Sequence, residues 1–389
     1  MKSISRTVWI LSIISLLTDT ASEMLYPVMP IYLRTIGFSV LLIGILEGIT
    51  EATAGLSKGY FGKLSDVTGK RVPFVQLGYS LSAVSKPMIA FFVNSVWIFF
   101  ARTIDRLGKG IRTGARDAIL SDEASTQTKG TVFGFHRSMD TLGAVIGPLF
   151  ALIYLYFNKD DYTTLFYIAF IPGLFAIITS LFLKEKTVIK NSPQEKQRFF
   201  SFLNYWKESP AAYRKLVGGL LVFTLFNSSD VFLLLKVKES GLDDTSVIGV
   251  YIFYNLIYAL FSFPIGIIAD KIGLKATFIS GLLIFSFVYF GMTFNNDFYS
   301  FLILFFLYGI YAAATEGISK AWISNISKQE DTATAIGTFA GFQSICTMLA
   351  SSLTGFIWFH FGASVAFMTT AAVTFLVAIY FLIKIPKPE

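Results

Sequence analysis

GKLSDVTGKR (residues 62–71) and GIIADKIGLK (residues 266–275) are two copies of one pattern, G-x-x-x-D-x-x-G with a base within two residues of its last glycine. In each copy the glycines permit a close helix approach and a tight turn. The carboxylate can pair with a base or cap the N-terminus of a neighbouring helix. A chance turn explains one copy. Two copies, at corresponding points of the two halves of the chain, argue for duplication of a helical unit.

The chain around these stretches is strongly apolar. Of 389 residues, 54% are hydrophobic and 15% charged, with 41 Phe and a mean hydropathy of +0.63, the composition of an integral membrane protein. The single Cys346 rules out an intramolecular disulfide, and two His are too few for a structural zinc site. No nucleophile–base constellation, phosphate loop or redox motif is present, so neither enzyme activity, a cofactor nor a bound metal is expected. A spanning helix needs about 20 mostly apolar residues. That window predicts spans at 7–33, 37–58, 73–93, 95–115, 131–157 and 163–184, then at 215–237, 245–269, 276–294, 298–323, 333–358 and 363–385. The first apolar run is followed by no small-residue cleavage site and is expected to be retained as a helix. Domains are therefore expected at 1–185 and 215–389, each a six-helix bundle, joined by a charged linker at 186–214.

Loop charges orient the bundles. Lys63, Lys70 and Arg71 lie between the second and third spans, Lys129 between the fourth and fifth, and several bases fall between Lys184 and Lys215. Lys271, Lys275 and Lys328 lie in matching loops of the second half, whereas VNS (93–95) and NNDF (295–298) carry no base. The formal charge of +7 thus reads as cytoplasmic loops and not as a nucleic-acid surface. Both termini and the linker are expected in the cytoplasm, with the protein crossing the cell membrane.

The chain resembles the major facilitator superfamily over essentially its whole length. Gly62, Asp66, Gly69, Lys70 and Arg71 match that superfamily's signature between helices two and three, with Val67 in place of the usual base; Gly266, Asp270 and Gly273 form the second-half copy. Arg102 and Asp122 match the spacing of the helix-four motif, where Asp105 and Arg106 replace a polar residue and a glycine. Gly143, Gly147 and Pro148 form the G-x-x-x-G-P motif typical of proton-coupled antiporters, followed here by Leu149 and Phe150 instead of a small pair. LTDTASEMLYPVMP (17–30), DRLGKGIRTGARDAILSD (105–122) and GFHRSMDTLGAVIGP (134–148) resemble a subgroup of permeases. The resemblance implies an all-α fold of two pseudo-symmetric six-helix bundles around a central cavity that opens alternately to each side. It also implies a functional monomer whose partners are the lipid bilayer and a small-molecule substrate, powered by a proton gradient.

Ionisable residues within spans are then the candidates for function. A charge at the bilayer centre costs at least about 2.5 kcal/mol, so such groups face the bundle interior, pair or become neutral. Asp19 with Glu23, and Glu47 with Glu51, stand at i,i+4 and so share helix faces. Arg102, Asp105 and Arg106 lie in helix four with Lys109, and His136 and Asp140 in helix five. Lys109 apart, these nine residues, from Asp19 to Asp140, are the candidates for proton coupling or the substrate cavity. For Glu51 a structural pair with a helix-four base stands equally open, and His136 reads either as a relay to Asp140 or as a packing histidine.

Asp66, Lys70, Arg71 and Asp270 are expected to form a gate that stabilises the outward-facing state. Gly143, Gly147 and Pro148 are expected to be packing devices. Lys58, Arg112, Arg116 and Asp122 are expected to snorkel or anchor loops. In the second half Asn227, Ser228, Ser229 and Asp230 cluster, Glu316 and Lys320 are expected to neutralise each other, and Tyr251, Tyr254, Tyr258, Tyr308 and Tyr311 add aromatic surface. The function expected is secondary active transport, as proton-coupled efflux of an organic compound. The alternative is transport of a hydrophilic anion, a metal chelate or a divalent cation held by Asp19, Glu23, Glu47 and His136.

Overall fold

The computed structural model describes residues 4–185, 198–242, 244–295 and 297–385. Among them there is no strand: the described residues are all-α, as the resemblance implies. Helix starts follow local rules. Ser5 accepts from Val8 N at the head of α1 (Arg6–Leu25), Ser39 from Leu42 N before α3 (Val40–Thr68), and Asn94 from Val96 N before α5 (Ser95–Asp122). Asp161 does the same for α7 (Tyr162–Ser180), and Asp297 for α13 (Phe298–Ile326). The remaining long helices are α4 (Val72–Phe91), α6 (Lys129–Phe157), α11 (Asp244–Ile272), α12 (Leu274–Phe294), α14 (Thr332–Phe361) and α15 (Ala363–Lys384). Nine stretches among the described residues are long and apolar enough to cross a membrane. The less apolar α3, α4 and α5 complete twelve helical positions.

Two of those positions differ from expectation. The first span is interrupted at Tyr26–Val28, where Pro27 supplies no backbone donor, and resumes as α2 (Met29–Thr35). The seventh is split into α9 (Ala211–Phe226) and α10 (Val231–Glu239) by an unwound stretch, Asn227 to Asp230. No proline announces this second break.

The chain forms two compact units. The first comprises Met1–Glu123, Met139–Glu208 and Lys328–Ser344, and the second Ala124–Ser138, Ser209–Ser327 and Ile345–Glu389. α6 and α14 therefore each change unit along their length. In the first unit α5 packs on α3 and α4, and α7 on α1 and α4. Glycines on α5 set these distances: a Cβ on Gly108 would meet Gly78 O at 2.6 Å, and one on Gly114 would meet Gly62 Cα at 2.8 Å. In the second unit α13 packs on α11 and α12, and α15 on α12 and α9.

Part of the expected linker is ordered structure in the first unit, while residues 186–197 lie outside the described residues. A 3-10 turn, Phe199–Asn204, leads into the four-residue α8 (Tyr205–Glu208). Phe202 is buried, with its ring against Gly59 of α3 where no Cβ would fit, and Thr338 Oγ1 of α14 donates to its carbonyl at 3.3 Å. Lys63 Nζ donates to Ser201 O at 2.9 Å.

Candidate functional site

The two copies of the G-x-x-x-D-x-x-G pattern end in the same local geometry. In the first unit Gly62 lies so close to α14 that a Cβ would stand 2.5 Å from Ala333 O. Four residues on, Asp66 Oδ2 accepts from Thr334 N at 2.6 Å and from Thr334 Oγ1 at 2.8 Å, capping the start of α14. In the second unit Gly266 lies against Gly130 of α6, and Asp270 accepts from Gly130 N and Thr131 N, both at 2.7 Å. A carboxylate at a helix N-terminus satisfies orphan amides and opposes the helix dipole. Gly69 (φ 65°) and Gly273 (φ 100°) make the turns that follow, in a region L-residues avoid.

Arg71 completes the first copy: it pairs with Asp66 at 3.3 Å, pairs with Asp122, and donates to Gln329 O at 3.2 Å. Lys70, expected in this network, is exposed and makes none of these contacts, because the turn at Gly69 directs Arg71 inward instead.

The first unit holds an ionic core on α5. Arg102, Asp105, Lys109, Arg112 and Arg116 recur every three to four residues and so form one stripe. Lys86 Nζ of α4 reaches Asp105 Oδ1 at 2.8 Å, with both side chains buried, and Arg102 and Arg106 add positive charge beside the same carboxylate. Arg112 donates to Ser82 Oγ at 2.6 Å and lies 4.5 Å over the Tyr79 ring; Arg116 pairs with Asp117 at 2.9 Å. Arg112 and Arg116 therefore do not snorkel. Glycines 108, 110 and 114 draw α3 and α4 over them, and buried partners replace water. Lys58 likewise turns inward, to Ser344 Oγ at 3.4 Å.

α1 meets this core across α6. A Cβ on Gly143 would stand 2.5 Å from Leu16 O and 3.0 Å from Asp19 Cβ, and one on Gly147 would stand 2.6 Å from Thr20 O. At this crossing the Asp19 and Asp140 carboxyls are neighbours. Ser15 Oγ donates to Asp140 Oδ1 at 2.9 Å and is itself met by Arg116 Nη1 at 3.3 Å and Tyr79 OH at 3.3 Å. Half-buried Glu23, one turn on, faces Lys109, Arg106 and Lys86.

The structure thus brings together Asp19, Glu23, Arg102, Asp105, Arg106 and Asp140. Glu51 is exposed on α3, with Lys58, Lys109 and Arg106 as the bases around it. The Glu47 side chain lies outside the described residues. His136 is buried on α6, one turn before Asp140. Ser15, Tyr79, Ser82 and Asp117 were not singled out from sequence. Only the adjacency of Arg116 and Asp117 hinted at them, since serines and tyrosines in apolar helices carry no signal of their own.

In the second unit Glu316 lies 3.5 Å from Arg137, a base from another helix in addition to its own-helix neighbour Lys320. Arg137 also donates to Tyr258 OH and lies 5.3 Å over that ring. Among the described residues no group of three or more His, Cys, Asp or Glu is placed to hold a metal ion.

The family model of the Major Facilitator Superfamily matches residues 11–255 and again residues 216–389, so each half is matched. This chain belongs to the Major Facilitator Superfamily. An uncharacterized MFS-type transporter of Methanocaldococcus jannaschii is 32% identical over 363 residues, covering 92% of this chain and 89% of the relative. Among solved structures, the superfamily fold is shared with a human organic anion transporter (TM-score 0.77, 16% identity, 97% of this chain and 99% of that one). It is shared also with the Escherichia coli fucose:proton symporter (TM-score 0.75, 13% identity, 96% and 98%). This superfamily member is accordingly a multi-pass membrane transporter and not an enzyme.

Proposed function

We propose that this transporter is a proton-coupled exporter of a small organic compound, working by alternating access in the cell membrane as a monomer with both termini in the cytoplasm. One observation carries the coupling: the Asp19 and Asp140 carboxyls meet where α1 crosses α6 at Gly143. Two carboxyls in contact can hold one proton between them, and a change in the α1–α6 spacing or in solvent access alters how tightly they hold it. Ser15 and Arg116 behind Asp140 tie that proton site to the α5 stripe. The G-x-x-x-G-P motif that makes the crossing is the one typical of proton-coupled antiporters. Asp66 and Asp270, each capping a helix that changes unit, are suited to hold and release α14 and α6 as the cavity changes sides.

The test is proton flux in liposomes containing the reconstituted protein, read with an internal pH dye as members of a panel of amphipathic organic amines and acids are added. Asp19→Asn and Asp140→Asn should each lower compound-driven flux by about tenfold or more, equivalent to ~1.4 kcal/mol. Flux at the wild-type level in both variants would remove the pair from the mechanism. For the divalent-cation alternative, the described residues, which leave out the Glu47 side chain, offer no group of three or more His, Cys, Asp or Glu.

A further inference from the structure

α9 and α10 together fill one membrane-spanning stretch, Ala211–Glu239, yet the helix stops at Phe226 and restarts at Val231. Discontinuous helices in transporters place polar groups where a ligand is held. Asp230 occupies the N-cap position of α10, but its side chain caps no backbone amide and so forgoes the usual stabilisation of a helix start. Both oxygens are turned to tyrosines instead: Tyr308 OH donates to Oδ1 at 2.6 Å and Tyr254 OH to Oδ2 at 2.9 Å. Asp230 is half-buried whereas both tyrosines are buried, so the carboxylate is the accessible member of the trio.

Three further facts decide what could bind there. Among the described residues no Lys, Arg or His lies within ion-pair distance of Asp230, and its charged neighbour is another acid, Glu316. An intramembrane charge of one sign calls for a complement. Both Asp230 oxygens accept from tyrosine hydroxyls, and a carboxylate has lone pairs for further donors beyond these two. Asn227, three residues earlier in the same break, donates its amide to Tyr311 OH at 3.0 Å, which leaves its buried Oδ1 without a partner. Ser228 Oγ of the same break is buried and without a partner too and can donate as well as accept, so the open positions are predominantly acceptors. Tyr251, half-buried and 6.0 Å from the Tyr254 ring, extends the aromatic wall by one turn.

The geometry points to Asp230 as the anchor of a binding site for an organic ammonium group, with Asn227 Oδ1 as a second acceptor and the tyrosines around it as the wall for an aromatic or aliphatic body. An ammonium has three donors and no acceptor, which matches this set, and a cation beside aromatic faces gains further. Tyr254 and Tyr308 are positioning residues that fix the carboxylate. Export of such an amine rests on the proton-coupled reading above; its binding does not.

The test is equilibrium binding to the purified full-length protein in lipid nanodiscs with no gradient, using phenethylamine, phenethyl alcohol and phenylacetate as probes matched in shape. Phenethylamine should bind at least about tenfold more tightly than either of the others. Asp230→Asn should lose about tenfold or more of that affinity and erase the preference, Asp230→Glu should restore much of it, and Tyr308→Phe should lose a smaller factor. No amine preference in the wild type, or an undiminished preference in Asp230→Asn, would overturn the assignment. Undiminished amine binding in Asp230→Asn together with loss of proton flux in liposomes would make Asp230 a proton carrier instead. Amine binding that survives while Asp19→Asn and Asp140→Asn leave flux unchanged would defeat only the coupling reading.

Discussion

Gly143→Ala adds a single methyl group, and its sign should be opposite to what helix propensity predicts. In an unconstrained helix Gly→Ala gains about 1 kcal/mol. At Gly143 the new Cβ would lie 2.5 Å from Leu16 O and 2.9 Å from Thr20 N, both backbone atoms that cannot rotate away. Ordinary van der Waals contact begins at 3.4 Å, so α1 and α6 must part by about 0.9 Å. Overpacking of this kind costs about 1–3 kcal/mol, which leaves a net loss of up to about 2 kcal/mol. The same movement would draw the Asp19 and Asp140 carboxyls apart, and since hydrogen bonds weaken steeply beyond their usual length it should uncouple the two. Gly218→Ala on α9 is the matched control, because nothing lies within 4 Å of its Cβ position. Thermal unfolding of the purified variants and compound-driven proton flux in liposomes measure both consequences. Gly143→Ala should melt below the wild type and lose most of its flux, while Gly218→Ala should melt at or above the wild type with flux intact. Indistinguishable behaviour of the two variants would refute the close-crossing argument and with it the role given to the helix-five motif.

Breaking the Lys86–Asp105 pair should be asymmetric. Asp105→Asn leaves Lys86, Arg102 and Arg106 around a neutral group, whereas Lys86→Met leaves Asp105 with two guanidiniums nearby; the first should lower the melting temperature more, within the roughly 3–5 kcal/mol expected for a broken buried pair. The double variant should recover at least about 1 kcal/mol relative to the sum of the singles, and strict additivity would show that the two side chains do not interact. Phe202→Ala should destabilise by up to about 3–5 kcal/mol, because the ring fills the space left by Gly59. Phe202→Leu should retain most of that stability, and a wild-type melt for Phe202→Ala would mean that the linker segment contributes nothing to the unit.

Much of this protein is legible one residue at a time. The apolar runs set helix number and class, because a bilayer leaves the backbone almost no other way to satisfy its hydrogen bonds. The two G-x-x-x-D-x-x-G stretches identified the duplication, and each aspartate proved to cap a helix start as its chemistry suggests. Asp19, Glu23, Arg102, Asp105, Arg106 and Asp140 stood out because a charge in such a helix demands compensation.

The pairing of those charges was decided only by tertiary structure. Lys86 with Asp105 and Glu316 with Arg137 depend on which helix faces meet, and these contacts depend on glycines whose missing side chains leave no pattern at the partner. The same holds for the break at Asn227–Asp230. Its residues are ordinary polar ones in an apolar run, and the partners of the Asp230 and Asn227 side chains, Tyr254, Tyr308 and Tyr311, are supplied by α11 and α13. Local chemistry determined which groups needed partners, and the packing of distant helices determined which partners they received.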